Sequence, residues 1–459
     1  MFTLEKLENS TPILPVTVDT LAEVRAHLPT FVHNWLDLNK FTGKPGEICI
    51  IPALSGKLGT ALVGYDPAAT ALWSIAGLPA QLPEGHYHLE ANWSENDQML
   101  AAIGWGLGQY EFAITKKPQE PEQRKLYLSA HYERVVAFVN AINSVRDLVN
   151  MPANRMMPEH LAVHMHTLAD EFDASFQQLV GDDLIEHGYP AVYEVGRASK
   201  HKPRVLELHW GDKKNPEVVL VGKGVCFDTG GLDMKPSSAM RLMKKDMGGA
   251  AHVIALARLI MQMNLPICLR VLVPAVDNAI GGDAFRPGDV INTRAGKTVE
   301  VDNTDAEGRL ILCDALTAAC EHEPALVIDF ATLTGAARVA LGTEVPVFFS
   351  NSRPLTQQVQ QASADVDELM WNLPLYKPYM HQLKTQFADL KNSGDSYGGA
   401  ITAALFLNEF VPDTIPWLHI DMMAWNLRAR PGRPVGGEAM GLFAVYHYLE
   451  QTFQTMIPD

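Results

Sequence analysis

Residues 218–224 read Val-Val-Leu-Val-Gly-Lys-Gly, and this stretch decides the fold of the larger part of the chain. Its four apolar residues form a continuous run that ends in glycine, which is typical of a strand buried on both faces of a parallel sheet. Because such a sheet is covered by helices on each side, the stretch predicts an α/β domain. Lys223 then follows directly on a buried strand.

The sequence beyond this stretch alternates between strand and helix patterns. Such alternation predicts a mainly parallel, helix-covered sheet, whose functional residues lie in loops at the carboxyl ends of the strands. Five segments carry the patterns: strands at residues 267–273, 325–330 and 418–421, and helices at residues 248–262 and 310–320. Lys223, Asp228 and Thr332 follow predicted strands, so we expect them to meet at one edge of the sheet.

The chain of 459 residues is long enough for two domains. The N-terminal third mixes short apolar runs with amphipathic stretches, which predicts a smaller α/β domain. A polar segment with two prolines, residues 115–124, is expected to be a surface loop or linker, and apolar residues at helical spacing predict a helix over residues 135–149. The predicted division is an N-terminal domain at 1–128, a linking helix at 129–152 and a catalytic domain at 153–459.

Composition argues against several classes of protein. Hydrophobic residues make up 47% and charged residues 20%, as in an ordinary globular enzyme. The net charge of −16 disfavours nucleic acid as a partner, and no segment is apolar enough for a membrane span. The five cysteines include no C-x-x-C pair and Met1 to Ser10 lacks a secretory pattern, so we expect reduced thiols and a cytoplasmic location.

The octapeptide Asn303–Leu310 reads Asn-Thr-Asp-Ala-Glu-Gly-Arg-Leu. Thr304 and Glu307 fit a helix capping box, and for this run taken alone that structural explanation is favoured. A capping box needs neither Asp305 nor Arg309, and a cation in the first turn of a helix opposes the helix dipole. The extra acid and the arginine therefore indicate a function.

A second cluster, Lys223, Asp228, Lys235 and Asp246, lies among glycines some eighty residues upstream. Taken alone, each has an ordinary structural explanation. The two lysines could be solvated, Asp228 could be a turn residue, and Asp246 could cap a helix. Four carboxylates, two lysines and an arginine together suit two divalent ions, for which Asp and Glu oxygens are good ligands. No H-E-x-x-H motif occurs and Gly224 breaks the P-loop pattern, so a single-zinc site and a nucleotide site are disfavoured.

These motifs resemble those of the leucyl aminopeptidases, also called cytosol aminopeptidases. The resemblance extends over roughly residues 145–445, and the octapeptide is its most specific part. The segments that carry it are residues 221–231, 234–236, 245–251, 303–310 and 331–335. Two positions depart from the family pattern: Thr229 stands where serine is common, and Asp233 stands where a neutral residue is usual.

The resemblance implies a metal-dependent peptidase that acts on the N-terminal residue of peptides. It implies a homohexamer of two-domain α/β subunits, each holding two divalent ions. The residues to which it gives roles are the metal ligands Lys223, Asp228, Asp246, Asp305 and Glu307, the catalytic pair Lys235 and Arg309, and the substrate-binding residues Met243, Thr332 and Leu333. Arg309 would hold a bicarbonate, and Met243 suggests an apolar first residue. Manganese or zinc is the expected metal, although oxygen and amine ligands also suit cobalt and magnesium.

Two other functions are compatible with parts of the pattern. A two-metal phosphoesterase would use the same carboxylates, lysines and arginine around phosphate oxygens. A non-enzymatic protein that binds metal and nucleotide would use the ions for structure alone. The octapeptide and its companion motifs argue against the phosphoesterase, whereas the acidic charge and the Lys235/Arg309 pair argue against the binding protein.

Overall fold

The structure is a computed structural model that describes residues 1–53, 56, 58–114 and 124–454. The chain forms two compact units: Met1–Asn143 with Arg428–Val435, and Ser144–Leu427 with Gly436–Asp459. The linker expected at residues 115–124 lies outside the described residues except for Arg124, which begins a strand.

The first unit is an α/β structure, as predicted. Its strands are β1 (Phe2–Thr3), β2 (Thr11–Val16), β3 (Ile48–Pro52), β4 (Leu58–Gly64), β5 (Gly85–Leu89) and β6 (Arg124–Tyr127), and its helices are α1 (Leu21–Ala26), α2 (Thr30–Leu38) and α3 (Glu95–Leu107). The sheet order is β1-β6-β5-β2-β4-β3, and every pairing is parallel except that of β3 with β4. Helix α4 (Tyr132–Asn150) confirms the helix predicted for residues 135–149.

The second unit contains the larger sheet. The remaining strands are β7 (Ser175–Val180), β8 (Arg204–Trp210), β9 (Glu217–Gly222), β10 (Gly224–Asp228), β11 (Cys268–Asn278), β12 (Val290–Asn292), β13 (Thr298–Glu300), β14 (Leu326–Ala331), β15 (Val347–Ser350), β16 (Trp371–Asn372), β17 (Leu390–Lys391), β18 (Trp417–Asp421), β19 (Trp425–Asn426) and β20 (Gly436–Gly437). In the described part of the chain, the main sheet runs β16-β15-β18-β14-β9-β11-β8-β7, with β10 also paired to β11.

The centre of this sheet is parallel, as the strand patterns predicted. Strands β18, β14, β9 and β11 run in the same direction. Towards the edges of the sheet, β15 pairs antiparallel with β18, β8 with β11, and β7 with β8. The four predicted strands are all confirmed. Three of them are longer than predicted, since β11 extends to Asn278, β9 begins at Glu217 and β18 begins at Trp417.

Helices cover both faces of the parallel centre. The helices of this unit are α5 (Pro158–Glu171), α6 (Asp183–Glu186), α7 (Pro190–Gly196), α8 (Ser237–Met240), α9 (Gly248–Gln262), α10 (Glu307–Cys320), α11 (Gly335–Leu341), α12 (Arg353–Asp365), α13 (Gly399–Asn408) and α14 (Leu442–Phe453). Helix α9 has the predicted bounds, and α10 begins three residues before its predicted start. None of the helices described combines the length and the hydropathy that a membrane crossing requires.

Alternate residues of β9 face opposite sides of the sheet. Val219 and Val221 join the buried cluster formed with α10, whereas a Cβ at Gly222 would lie 2.5 Å from a methyl group of Val253 in α9. A strand whose residues are buried on both faces must be apolar throughout, and this explains the continuous run from which the fold was predicted.

The close approach of α9 to the sheet depends on Gly249. A Cβ at this position would lie 2.0 Å from the carbonyl oxygen of Phe330 and 2.7 Å from the amide nitrogen of Lys223. Phe330 lies in β14 and Lys223 directly follows β9. Both neighbours are backbone atoms, so they cannot rotate away as a side chain could.

We therefore expect Gly249→Ala to reduce the free energy of unfolding by about 2–3 kcal/mol, because overpacking displaces the helix from the sheet. Gly282→Ala is the matched control, since a Cβ at Gly282 would have no atom within 4 Å. Thermal unfolding of both variants checks the prediction, and equal midpoints would contradict it.

Candidate active site

Lys223 lies at a break between two strands at the centre of the sheet. Strand β9 ends at Gly222 and β10 begins at Gly224. The Lys223 amide donates a hydrogen bond to the Phe330 carbonyl at 3.0 Å, and the Lys223 carbonyl accepts one from the amide of Ala250 at 2.8 Å. The backbone of this lysine is thus held by β14 on one side and by α9 on the other.

Asp228 is positioned by a β-bulge in the pairing of β10 with β11. The register shifts between Val225 and Asp228, which places Asp228 opposite Asn278. Its Oδ1 accepts hydrogen bonds from the Asn278 Nδ2 at 2.9 Å and from the Gly230 amide at 2.8 Å. Its Oδ2 is thereby left to face the cluster of charged groups.

The octapeptide does not form the capping box that fits the local pattern of Thr304 and Glu307. Helix α10 begins at Glu307 after Ala306, which provides no side-chain cap. The Thr304 hydroxyl instead donates to the Gly230 carbonyl at 2.6 Å, and the Thr304 amide donates to Asp233 Oδ2 at 2.8 Å. The threonine joins two loops, and the Glu307 side chain is free to enter the cluster.

Asp246 is not a helix cap either. It lies in the 3₁₀ turn Met243–Met247, and the cap position of α9 is Met247, without a side-chain hydrogen bond. The hydroxyl of Thr332 donates to Asp246 Oδ1 at 2.8 Å. The carboxylate is therefore oriented by the residue that follows β14, because strand ends distant in sequence meet at this edge of the sheet.

Two lysines connect the four carboxylates in pairs. Lys223 Nζ lies 2.6 Å from Asp246 Oδ2 and 3.0 Å from Glu307 Oε1. Lys235 Nζ lies 2.8 Å from Asp228 Oδ2 and 2.5 Å from an oxygen of Asp305. The predicted ligands and Lys235 thus form one continuous cluster of charges.

The pKa values reflect an excess of buried negative charge. Burial, reinforced by the charge of Asp228, raises the pKa of Glu307 to about 7. Burial and the charge of Asp246 likewise raise the pKa of Asp228 to about 6. Burial opposes the charged form of Lys223, but Asp246 and Glu307 outweigh it, and the pKa of this lysine is raised.

The donor set fits divalent cations. Asp228, Asp305 and Glu307 each offer one carboxylate oxygen, and these atoms lie within 4.8 Å of one another. Glu307 is 1% exposed; its Oε1 is ion-paired with Lys223 Nζ at 3.0 Å, whereas its Oε2 accepts no hydrogen bond from the residues in the described ranges. A buried carboxylate oxygen without a hydrogen bond is unfavourable unless a cation compensates it, and oxygen ligands in this number suit a divalent ion.

The other predicted residues lie on adjoining segments. Arg309, in the first turn of α10, is buried, and its Nη1 donates to the Asn392 carbonyl at 2.6 Å. Met243 shares the 3₁₀ turn of Asp246, and the amide of Leu333 donates to Asp421 Oδ1 at 3.0 Å. Among the residues that the structure describes, these three form no hydrogen bond with the four carboxylates.

Three residues around the cluster were not predicted from the sequence. The Asn278 Nδ2 also donates to the Thr304 carbonyl at 3.2 Å, and Asn392 accepts from the Asp302 amide at 2.8 Å. Lys245 is buried beside Asp246, and burial lowers its pKa to about 8 although Asp246 opposes this shift. Local patterns do not identify Asn278 and Asn392, because their partners are distant in sequence, and the burial of Lys245 becomes visible only in the fold.

Comparison with known proteins identifies the family. The profile of the cytosol aminopeptidase family, catalytic domain, matches residues 143–445, and that of the M17 aminopeptidase N-terminal domain matches residues 11–129. The chain belongs to the cytosol aminopeptidase family. It is a metal-dependent aminopeptidase, and the phosphoesterase alternative is not favoured.

Individual relatives agree with this assignment. A probable cytosol aminopeptidase of Syntrophotalea carbinolica is 43% identical over 71% of this chain and 66% of that protein. The crystal structure of a cytosol aminopeptidase from Coxiella burnetii is similar over 98% of this chain and 99% of its own, with 47% identity and a TM-score of 0.95. The bottromycin maturation enzyme BotP in complex with Mn covers 97% of this chain and 100% of its own, with 31% identity and a TM-score of 0.88.

Asn278→Ala should lower the affinity for divalent metal about 10–100-fold, because it removes a group that orients the Asp228 carboxylate. Isothermal titration of the metal-stripped protein with Mn²⁺ measures the change. Asn351→Ala is the matched control: it also removes two amide hydrogen bonds, to Ile415 and Trp417, but these lie away from the cluster. Equal affinity in the two variants would contradict the prediction.

Metal affinity should also fall as the pH is lowered from about 8 to about 5.5. A cation requires ionised carboxylates, so protons compete with it below the pKa values of about 7 for Glu307 and about 6 for Asp228. The affinity is expected to fall about tenfold per pH unit for each displaced proton. Calorimetry in buffers of different ionisation enthalpy would count those protons, and a pH-independent affinity would refute the explanation.

Proposed function

We propose that this aminopeptidase uses two divalent ions held by Lys223, Asp228, Asp246, Asp305 and Glu307. The observation that carries the proposal is the convergence of carboxylate oxygens of Asp228, Asp305 and Glu307 within 4.8 Å of one another, together with the buried Glu307 Oε2, which accepts no hydrogen bond within the described ranges. Such ions, when bound, supply Lewis acidity and activate water for hydrolysis. Manganese or zinc is the proposed metal, and manganese is the one named with the similar enzyme BotP.

Lys235 is proposed to stabilise negative charge on the substrate carbonyl oxygen. Burial disfavours its ammonium form, but Asp228 and Glu307 outweigh this and raise its pKa, so the group remains charged at neutral pH. Its side chain is 14% exposed, and a substrate can therefore reach it, unlike the buried Lys223. One well-placed donor of this kind contributes about 3 kcal/mol to transition-state stabilisation.

Arg309 is proposed to hold a bicarbonate that passes protons during hydrolysis. Burial lowers the pKa of the guanidinium to about 10, which leaves it charged at neutral pH. Its Nη1 donates a hydrogen bond to the Asn392 carbonyl, but its Nε is buried and donates to no residue in the described part of the chain. A planar guanidinium with free donors suits a planar oxyanion.

The substrate is proposed to be a peptide whose first residue is apolar. Met243, which is buried on the same turn as Asp246, would line the pocket for that residue. Thr332 and Leu333, at the end of β14, would present backbone groups to the peptide. The carbonyl of Thr332 lies 3.3 Å from Lys223 Nζ, which supports a position beside the proposed ligands.

We also propose that residues 153–459 form the catalytic domain, after an N-terminal domain at 1–128 and a linking helix at 129–152. A homohexamer is the proposed assembly, and the family resemblance supports it. The cytoplasm is the proposed location, supported by the names of the relatives, which are cytosol aminopeptidases. Light scattering of the purified protein tests the assembly, since a monomer would rule out the hexamer.

The proposed function is tested with metal-stripped protein to which manganese, zinc, cobalt or magnesium is returned. Release of p-nitroaniline from leucine p-nitroanilide should require metal, and the N-acetylated substrate should not be cleaved. A phosphomonoester serves as the comparison substrate. Cleavage of the phosphomonoester but not of the leucine compound would overturn the proposal.

Two variants separate metal binding from catalysis. Asp228→Asn should lose bound metal, because it weakens a ligand, whereas Lys235→Ala should keep its metal and lose about 100-fold in kcat. Elemental analysis and steady-state kinetics provide the two readouts, with Lys213→Ala as a control on an exposed lysine. Metal-free Lys235→Ala protein would contradict the separation of roles.

A further inference from the structure

Asp421 is a buried acid to which neither the family resemblance nor the proposed mechanism gives a role. It is the last residue of β18, and its partner in the parallel pairing is Ala331, the last residue of β14. The amide of Met422 donates to the Ala331 carbonyl at 3.0 Å, which continues the pairing one residue further. Asp421 is 1% exposed, so its carboxylate must find its hydrogen bonds within the protein.

The carboxylate of Asp421 accepts three hydrogen bonds from the two residues Leu333 and Thr334. Its Oδ1 accepts from the Leu333 amide at 3.0 Å and from the Thr334 amide at 3.1 Å. Its Oδ2 accepts from the Thr334 hydroxyl at 2.6 Å. An ionised carboxylate only accepts hydrogen bonds, and its charge strengthens each of them. The side chain is therefore suited to holding the backbone that follows β14.

The segment 332–334 is also held by contacts at its two ends. The Thr332 hydroxyl donates to Asp246 Oδ1 at 2.8 Å, which ties this end to a proposed metal ligand. The Thr334 hydroxyl oxygen accepts from the Ala337 amide at 3.0 Å and so caps helix α11. Between these two anchors, the orientation of the backbone at Leu333 is left to Asp421.

The bond from the Thr334 amide to Asp421 fixes the direction of the Leu333 carbonyl. The two groups belong to one planar trans peptide unit, in which the C=O and the N–H point in opposite directions. Since the N–H points at Asp421, the C=O of Leu333 points away from it. Within the described ranges, no residue donates a hydrogen bond to this carbonyl. Leu333 is half-buried, so its carbonyl is an acceptor that a bound peptide can use.

We infer that Asp421 is a positioning residue for peptide binding, because it aims the Leu333 carbonyl at the substrate. The inference rests on the proposed function, in which Thr332 and Leu333 present backbone groups to the peptide, and it deepens that proposal by naming the side chain that orients one of those groups. A backbone acceptor that holds the peptide equally in the ground state and in the transition state contributes to binding alone. Its displacement should therefore raise KM and leave kcat nearly unchanged.

The test is steady-state kinetics of the manganese-loaded protein with leucine p-nitroanilide. Asp421→Ala removes all three hydrogen bonds, and KM should rise about tenfold while kcat changes less than about threefold. Bound Mn²⁺ per chain should equal that of the wild type, because the partners of Asp421 are Leu333 and Thr334 and not the four carboxylates. Asp421→Ser, whose side chain is too short to hold both residues, should behave alike, and it provides the test if the alanine variant does not fold.

Two further variants separate positioning from a general loss of stability. Asp421→Asn keeps an oxygen that can accept from both amides, so its KM should stay within about threefold of the wild type. Asp314→Ala is the matched control, because Asp314 is also buried and accepts three hydrogen bonds, from the amides of Ala191, Val192 and Arg294. None of these partners lies in the segment 332–334, so its KM should equal that of the wild type although its thermal midpoint falls.

A wild-type KM in both Asp421→Ala and Asp421→Ser would overturn the inference. The same rise in KM in Asp314→Ala, or a loss of bound Mn²⁺ from the Asp421 variants, would also overturn it, because the effect would then come from general destabilisation or from the metal site. If the wild-type protein itself cleaved no leucine p-nitroanilide with any of the metals, the proposed function would fail and this inference with it.

Discussion

The constraint on which the structure depends is the burial of four carboxylates at the carboxyl edge of a parallel sheet. Each uncompensated buried charge costs several kcal/mol, so acids cannot be gathered there without cations. Lys223 and Lys235 join them in pairs, at distances of 2.5–3.0 Å. Even so, burial raises the pKa of Glu307 to about 7. Divalent ions would neutralise the remaining excess of buried negative charge.

Uncharged side chains keep this cluster in place. Asn278 links Asp228 to the Thr304 carbonyl, and Thr304 links the octapeptide to the loop at Gly230 and Asp233. Asp233 therefore connects two loops that carry proposed ligands. Since hydrogen bonds position these carboxylates in the protein itself, less conformational freedom would be lost on binding an ion.

The family assignment concerns the activity of this chain, whereas the charged groups of the site concern how strongly each metal ion is held. Membership establishes a metal-dependent aminopeptidase, because the matching residues extend over both domains. It does not describe how strongly each ion is held. That property depends on the burial and pairing of the charged groups around each ion, because electrostatic effects in a buried site extend beyond the atoms that touch the ion.

The sequence by itself determined the order of strands and helices, the parallel sheet and the acidic and basic residues that the site brings together, because apolar periodicity and short motifs are local signals. The local patterns of Thr304–Glu307 and of Asp246 also fit helix caps that the fold does not form, since a local pattern does not reveal a partner distant in the chain. Only the tertiary structure decided that Thr304 bonds to Gly230 and that Thr332 orients Asp246. Such contacts arise where strand ends converge, and convergence is a property of the folded sheet.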